Sequence, residues 1–322
     1  MNNLVVTALK SGPLFNLIFG IRRSSYSVGA SSHYNAHINN MKRALLVLAG
    51  VFLLNVSVFS QNTNFWIFLC FGQSNMEGYP GIQDEDKGPV DERFQMLAAV
   101  DFPKQDRKMG QWYPAVPPLC RPNTGLCPAD FFGRTLVSNL PPSIKVGVVN
   151  VAVAGCKIEL FQKNNFQDYA STAAPWMKNI IEAYDGDPYQ HLVDMAKIAQ
   201  KDGVIKGILL HQGESNTNDK EWPNKVKGVY ENLLKDLNLK AEDVPLIVGE
   251  VVPADQKGAC ASMNKIIDDL PSTIPTAHVV SSTNCVGRPD HLHFTPAGYR
   301  EFGKRYAETT LPLLGIKPAQ AK

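Results

Sequence analysis

Ser74 stands in Phe71-Gly72-Gln73-Ser74-Asn75-Met76-Glu77-Gly78, a serine between glycines directly after the apolar run 65–70. A hydroxyl placed where a buried strand runs out is a candidate nucleophile, weak until a base takes its proton. The histidines after residue 60 are His191, His211, His278, His291 and His293. His191 falls in a helical pattern and His278 at a strand start, positions that read as structural. His293 follows Asp290 by three residues, so one carboxylate can hold the imidazole in the tautomer and orientation that a base needs. His291 is the rival, but it adjoins Asp290, and side chains of neighbouring residues diverge. Attack of such a serine on an ester makes an oxyanion that requires fixed donors. The candidates are the backbone N–H groups of Ser74 and Gly155, with a side-chain amide from Gln212, favoured, or from Asn216. His211 and Glu214 stand beside these as supporting candidates, Glu214 as an anchor for its own loop or for the Ser74 turn. His211, Glu214, Asp290, His291 and His293 are also metal-ligand types, but no helical His-x-x-x-His pair accompanies them, and no metal is expected.

The elements that must position these residues alternate. Apolar runs at 65–71, 145–153, 204–210, 245–252 and 277–281 read as strands buried on both faces of a parallel sheet. Helical spacing occupies 129–139, 175–184, 189–201, 225–238 and 262–270. A final helix starts at Thr295 as N-cap with Pro296 in its first turn and runs to Thr309. Alternating strands and helices predict an α/β fold, a three-layer α/β/α sandwich with about five parallel strands. In open sheets of this kind ligands bind outside the carboxyl ends of the strands. Those ends are followed by Gln73-Ser74-Asn75, Ala154-Gly155-Cys156, His211-Gln212-Gly213-Glu214-Ser215-Asn216 and Asp290-His291-Leu292-His293.

Composition divides the chain. Residues 1–60 hold Lys10, Arg22, Arg23, Lys42 and Arg43 and no acid, and of the chain's 32 basic and 30 acidic residues this leaves 27 and 30 beyond position 60. The basic balance therefore belongs to the leader and gives no ground for nucleic-acid binding. Met41-Lys42-Arg43, the apolar 44–56 and Val58-Phe59-Ser60 have the order of a secretory signal peptide at 41–60, too short in its apolar part to span a membrane. Residues 1–40 read as a dispensable extension. The body, 61–322, is expected to be one secreted domain with no membrane attachment after cleavage. Its six cysteines make disulfides feasible, Cys120 with Cys127 and Cys260 with Cys285 first. The stretch 79–128 has little periodicity, and its Trp112 and Tyr113 are candidates for a cleft wall against sugar rings.

Phe-Gly-Gln-Ser74-Asn-Met-Glu-Gly, Val-Ala-Gly155, His-Gln212-Gly-Glu-Ser-Asn and Asp290-x-x-His293 together resemble the four blocks of SGNH hydrolases. They look most like the branch of sialate O-acetylesterases and the acetylxylan esterases of carbohydrate esterase family six. The resemblance implies a flavodoxin-like fold and cofactor-free, metal-free hydrolysis of acetyl esters on carbohydrate. It implies Ser74 as nucleophile, His293 as base, Asp290 as its orienting partner and Gly155 as an oxyanion donor. The third block departs from the wider superfamily's Gly-x-Asn-Asp, having Gln212-Gly213-Glu214. The expected function is a secreted serine esterase acting on acetylated polysaccharide, acetylxylan first and O-acetylated sialic acid as the alternative. Lys104, Arg107, Lys108 and Arg121 would be available to an acidic glycan. A catalytically silent carbohydrate-binding protein is the reading from another class, opposed by the intact Ser, Asp and His.

Overall fold

Strand β1 (Asn62–Gly72) fixes the architecture, because every side chain from Ile67 onward in it is buried and both of its edges therefore need partners. The computed structural model describes residues 61–164 and 166–316, and the expected extension at 1–40 and expected signal peptide at 41–60 lie outside them. β2 (Phe94–Leu97), β3 (Trp112–Pro114), β4 (Lys145–Ala152), β5 (Gly203–His211), β6 (Leu246–Gly249) and β7 (Ala277–Val280) complete a seven-stranded sheet in the order β3-β2-β4-β1-β5-β6-β7. All pairings are parallel except that of β3 with β2.

Successive side chains of a strand point to opposite faces, and β1 uses both. Phe68 meets Phe132 edge-on at 4.9 Å, whereas Phe71 meets Phe161 at 5.3 Å on the other side. The helices that cover these faces are, in chain order, α1 (Ser74–Glu77), α2 (Pro128–Asn139), α3 (Phe166–Thr172), α4 (Pro175–Glu182), α5 (Pro188–Ala199), α6 (Trp222–Asp236), α7 (Asn264–Asp268), α8 (Leu270–Thr273) and α9 (Pro296–Leu313). α9 begins as its sequence predicts: the Thr295 side chain accepts the Gly298 N–H at 3.1 Å, and Pro296 needs no partner for a missing N–H. No helix among the described residues is long and apolar enough to cross a membrane.

The structure departs from expectation in three places. Within 79–128, Trp112 and Tyr113 extend the sheet instead of walling a cleft, and it is Tyr79 that borders the cavity. Trp112 lies 4.7 Å from Phe65 and donates its indole N–H to Asp202 at 2.9 Å, near the amino end of β1, and the Tyr113 hydroxyl accepts the Lys108 N–H. The segment 262–270 is broken into a 3-10 turn, α7 and α8, since Pro271 cannot donate to a continuous helix. All six cysteines are free thiols. Cys120 Sγ faces the Tyr184 hydroxyl at 3.3 Å, Cys127 Sγ lies 3.6 Å from the Asn150 amide, and Cys260 Sγ points to the Glu214 carbonyl. Burial pushes the Cys120 thiol up to about 11, which leaves it an inert core group.

A buried ion cluster joins the 79–128 segment to α2 and α9. Arg300 grips Asp86 through Nε at 2.8 Å and Nη2 at 3.0 Å, and Arg134 bonds both Asp130 and the Asp86 carbonyl. Burial pushes the Asp130 carboxyl up to about 6, against the opposing pull of Arg134. A carboxyl raised in the folded state stabilises most below its unfolded value, and that contribution is lost as pH rises through about 6. A shift of this size is worth about 3 kcal/mol across the window. Thermal melting should therefore show a gain in stability from pH 8 down to pH 5 that Asp130→Asn flattens.

Candidate active site

Ser74 is presented by an abrupt change of direction at the end of β1. Gly72 has φ 146°, and a Cβ there would lie 2.0 Å from the His211 carbonyl oxygen on β5, so the turn requires glycine. Gln73 then donates its N–H to that same oxygen at 3.0 Å, and Ser74 opens α1. The Ser74 hydroxyl faces His293 Nε2 at 2.9 Å, and His293 Nδ1 faces Asp290 Oδ2 at 3.1 Å. The chain thus brings Ser74, His293 and Asp290 into one line from opposite ends of the domain.

The loop 288–293 is held by its own carboxylate. Asp290 Oδ1 accepts the N–H groups of Leu292 and His293 at 3.0 Å each, and Arg288 and His293 exchange a backbone hydrogen bond at 2.7 Å. Burial pushes the Asp290 carboxyl up, but those two N–H groups and the imidazole outweigh it and hold the group below its ordinary value. It is therefore charged at neutral pH. His291 takes a left-handed conformation with φ 59° and contributes backbone bonds to Arg288 and Ala259. Tyr79 stacks on the His293 ring at 3.8 Å and 16°.

Glu77 and Ser215 shape the second strand end. Glu77 Oε2 accepts the Ala154 N–H, while its other oxygen pairs with Arg121. Ser215 Oγ donates to the Gly155 carbonyl at 2.9 Å. Gly155 has φ 68°, and a Cβ on it would sit 2.8 Å from the Trp176 ring. With the neighbouring groups so anchored, the Gly155 and Ser74 N–H groups bond to no other described residue and line a cavity of about 550 Å³. The cavity is also bordered by Gln73, Tyr79, Trp176, Glu214, Cys260, Leu292 and His293.

Gln212 does not reach this cavity, contrary to the expectation that it supplies an oxyanion donor. It is fully buried, its Nε2 donates to Asn216 Oδ1 at 2.8 Å, Gln73 Oε1 at 3.1 Å and the Cys156 carbonyl at 3.3 Å, and its Oε1 accepts the Trp222 indole N–H at 2.5 Å. Asn216 is equally committed, to the Ile158 N–H, Glu159 and Asp219. The free amide is that of Gln73. Its Oε1 faces three donors, Gln212 Nε2 at 3.1 Å, Gly213 N–H at 3.4 Å and Ser215 N–H at 3.3 Å, so oxygen must occupy that end and the NH₂ turns to the cavity, where it bonds to no described residue. Gln73 adjoins Ser74 in the sequence, but nothing in its type distinguishes it from Gln212.

The other candidates serve as scaffold. Glu214 accepts from the Asn75 amide and lies 3.8 Å from His211 Nδ1, and His211 Nε2 donates to the Glu250 carbonyl, 3.0 Å away. Burial lowers the His211 pKa and keeps the ring neutral. Of the basic residues expected for an acidic glycan, Arg107 is buried against the Pro118 and Val116 carbonyls, Arg121 pairs with Glu77, Lys108 pairs with Asp101, and Lys104 reaches Asn123. No group of three or more His, Cys, Asp or Glu among the described residues could hold a metal ion.

Comparison with known proteins gives a match of residues 64–312 to the family model described as carbohydrate esterase, sialic acid-specific acetylesterase. Solved structures of similar fold include a protein from Arabidopsis thaliana, with TM-score 0.59, 20% identity, 78% of this chain and 99% of that one covered. NanS aligns with TM-score 0.58 and 17% identity over 80% of this chain and 99% of its own. A carbohydrate acetylesterase from Xanthomonas citri aligns with TM-score 0.51 and 17% identity over 75% of this chain and 55% of its own.

The buried amide cluster beneath the cavity gives a stability test. Trp222→Phe leaves Gln212 Oε1 without its donor at full burial, a loss of about 1–3 kcal/mol. Chemical denaturation should read that loss as a lower midpoint at unchanged slope.

Proposed function

Since the chain belongs to the carbohydrate esterase, sialic acid-specific acetylesterase family, and is so a carbohydrate acetylesterase of the sialate O-acetylesterase type, we propose that Ser74, His293 and Asp290 carry out its deacetylation by acyl transfer. The observation that carries the proposal is the unbroken line from Ser74 Oγ to His293 Nε2 at 2.9 Å and from Nδ1 to Asp290 at 3.1 Å. Ser74 Oγ attacks the acetyl carbonyl carbon as His293 Nε2 takes its proton. The oxyanion is received by the N–H groups of Ser74 and Gly155 and by Gln73 Nε2. The bond to the sugar oxygen breaks as His293 returns the proton to that oxygen. Water, deprotonated by the same imidazole, then releases acetate and restores Ser74. Asp290 remains ionised throughout and holds the proton on Nδ1.

As substrate we favour O-acetylated sialic acid over acetylated xylan, reversing the order that the sequence motifs suggested. The family description supports this order. We also propose that the domain is exported, which is supported by the leader pattern at 41–60.

Acetate release from an O-acetylated sialic acid is the measurement that tests this reading. Ser74→Ala should lower kcat by about 10⁶-fold and Asp290→Asn by about 10⁴-fold, with circular dichroism unchanged. Gln73→Glu keeps an oxygen facing Gln212, Gly213 and Ser215 but replaces the NH₂, and should lower kcat about 10²- to 10³-fold with little change in KM. Activity retained in Ser74→Ala would refute the nucleophile, and full kcat in Gln73→Glu would refute the third donor.

A further inference from the structure

Resting on the proposed reaction, the geometry points to Arg288 as the anchor for a carboxylate on the sugar that leaves, so that the substrate is an acetylated sugar acid whose carboxylate reaches past Tyr79 to this guanidinium. The side of the cavity that receives the sugar follows from the chemistry. His293 must hand its proton to the departing oxygen, so the alcohol lies on the imidazole side and the acetyl group on the side of Gly155. What stands on the imidazole side is Tyr79, 54% exposed and stacked on His293, and Leu292, 37% exposed. Leu292 and the exposed edge of Tyr79 offer apolar surface beside a bound sugar ring.

Arg288 lies beside Tyr79. Its guanidinium carbon is 5.3 Å from the Tyr79 ring centre, so the phenol ring touches both the guanidinium and the imidazole. Every other arginine among the described residues donates at least one side-chain hydrogen bond, to a carboxylate or a backbone carbonyl. Arg288 donates none. Its only charged neighbour is Asp290, at 3.5 Å from Nε, a contact that makes no hydrogen bond, and Nε is buried without an acceptor. Both Nη groups are thus left for an acceptor from outside, in the planar fork that suits a carboxylate.

Charge balance gives the residue a reason to be there. The carboxylates at the cavity are those of Glu77 and Glu214, with Asp290 behind His293, and of these Glu77 is paired with Arg121. An acidic sugar entering that field is repelled unless a cation meets it. Lys104, Arg107, Lys108 and Arg121 are committed elsewhere, whereas Arg288, beside the triad, donates no side-chain hydrogen bond.

The test compares an O-acetylated sialic acid with its C1 methyl ester, which removes the charge and keeps the sugar. Arg288→Gln should lower the ratio of kcat/KM for the acid over the ester about 10- to 100-fold, mainly through KM, and Arg288→Lys should restore part of it. The wild-type preference for the acid should also weaken with added salt. Equal losses on both substrates would mean that Arg288 acts only by steadying Asp290, and an unchanged ratio would mean that it meets no carboxylate; either result overturns the inference. Should the wild type release acetate from neither compound, the proposed reaction fails, and calorimetric titration with deacetylated sialic acid still decides. Weaker binding to Arg288→Gln than to wild type supports the carboxylate site, and equal binding overturns it.

Discussion

The side chain of Asn75 joins three separate parts of the chain at one point. Its Nδ2 donates to Glu214 beyond β5 and to the Leu292 carbonyl at 3.0 Å in the loop that carries the histidine, and its Oδ1 accepts from the Tyr299 hydroxyl of α9. It sits next to Ser74 on α1 and is fully buried. A buried amide with its oxygen and both lines of donation satisfied admits one arrangement of its partners, since breaking any of them strands a polar group away from water. The distance between Ser74 and His293 is therefore fixed from beneath, by a residue that does not border the cavity.

The same principle explains why one glutamine faces the cavity and another does not. Gln212, Asn216, Trp222, Glu159 and Asp219 form a satisfied network behind the strand ends, tied outward to Lys225. Gln73 belongs to this network by its oxygen alone. Its orientation is set by donors that water cannot replace, so its NH₂ stands ready before any oxyanion forms. Preorganisation of this kind is what separates a catalytic donor from a merely nearby one.

Much of this was legible in the residues. β1, β4, β5 and β6 declared themselves because burial in the sheet interior favours apolar types, β7 because of its short apolar run at the edge, and the final helix because Thr295 and Pro296 are cap residues for local reasons. Ser74, Asp290 and His293 could be picked out because each follows a strand or precedes a helix at the ligand-binding edge. β2 and β3 were hidden by their brevity and by being defined through pairing with distant residues. The free thiols were illegible because direction, not spacing, decides whether two sulfurs meet, and Cys120 and Cys127 face Tyr184 and Asn150. Choosing Gln73 over Gln212 required knowing which amide was already saturated, a property of the assembled network and of neither residue.

The place of β1 at the centre of the sheet also bears on how the chain is made. Among the described strands it is the first to leave the ribosome, yet its partners β4 and β5 begin at Lys145 and Gly203. Until they emerge, Phe-Trp-Ile-Phe-Leu-Cys-Phe presents two apolar faces and two unpaired backbone edges, the composition and exposure that favour association between nascent chains. Long-range parallel pairing is slow to form because the intervening loop must close before contacts repay it. The Ser74–His293–Asp290 line is completed later still, when Asp290 and His293 arrive just ahead of the last helix. A ribosome-bound chain thus exposes its most association-prone strand long before the residues that face Ser74 have been made.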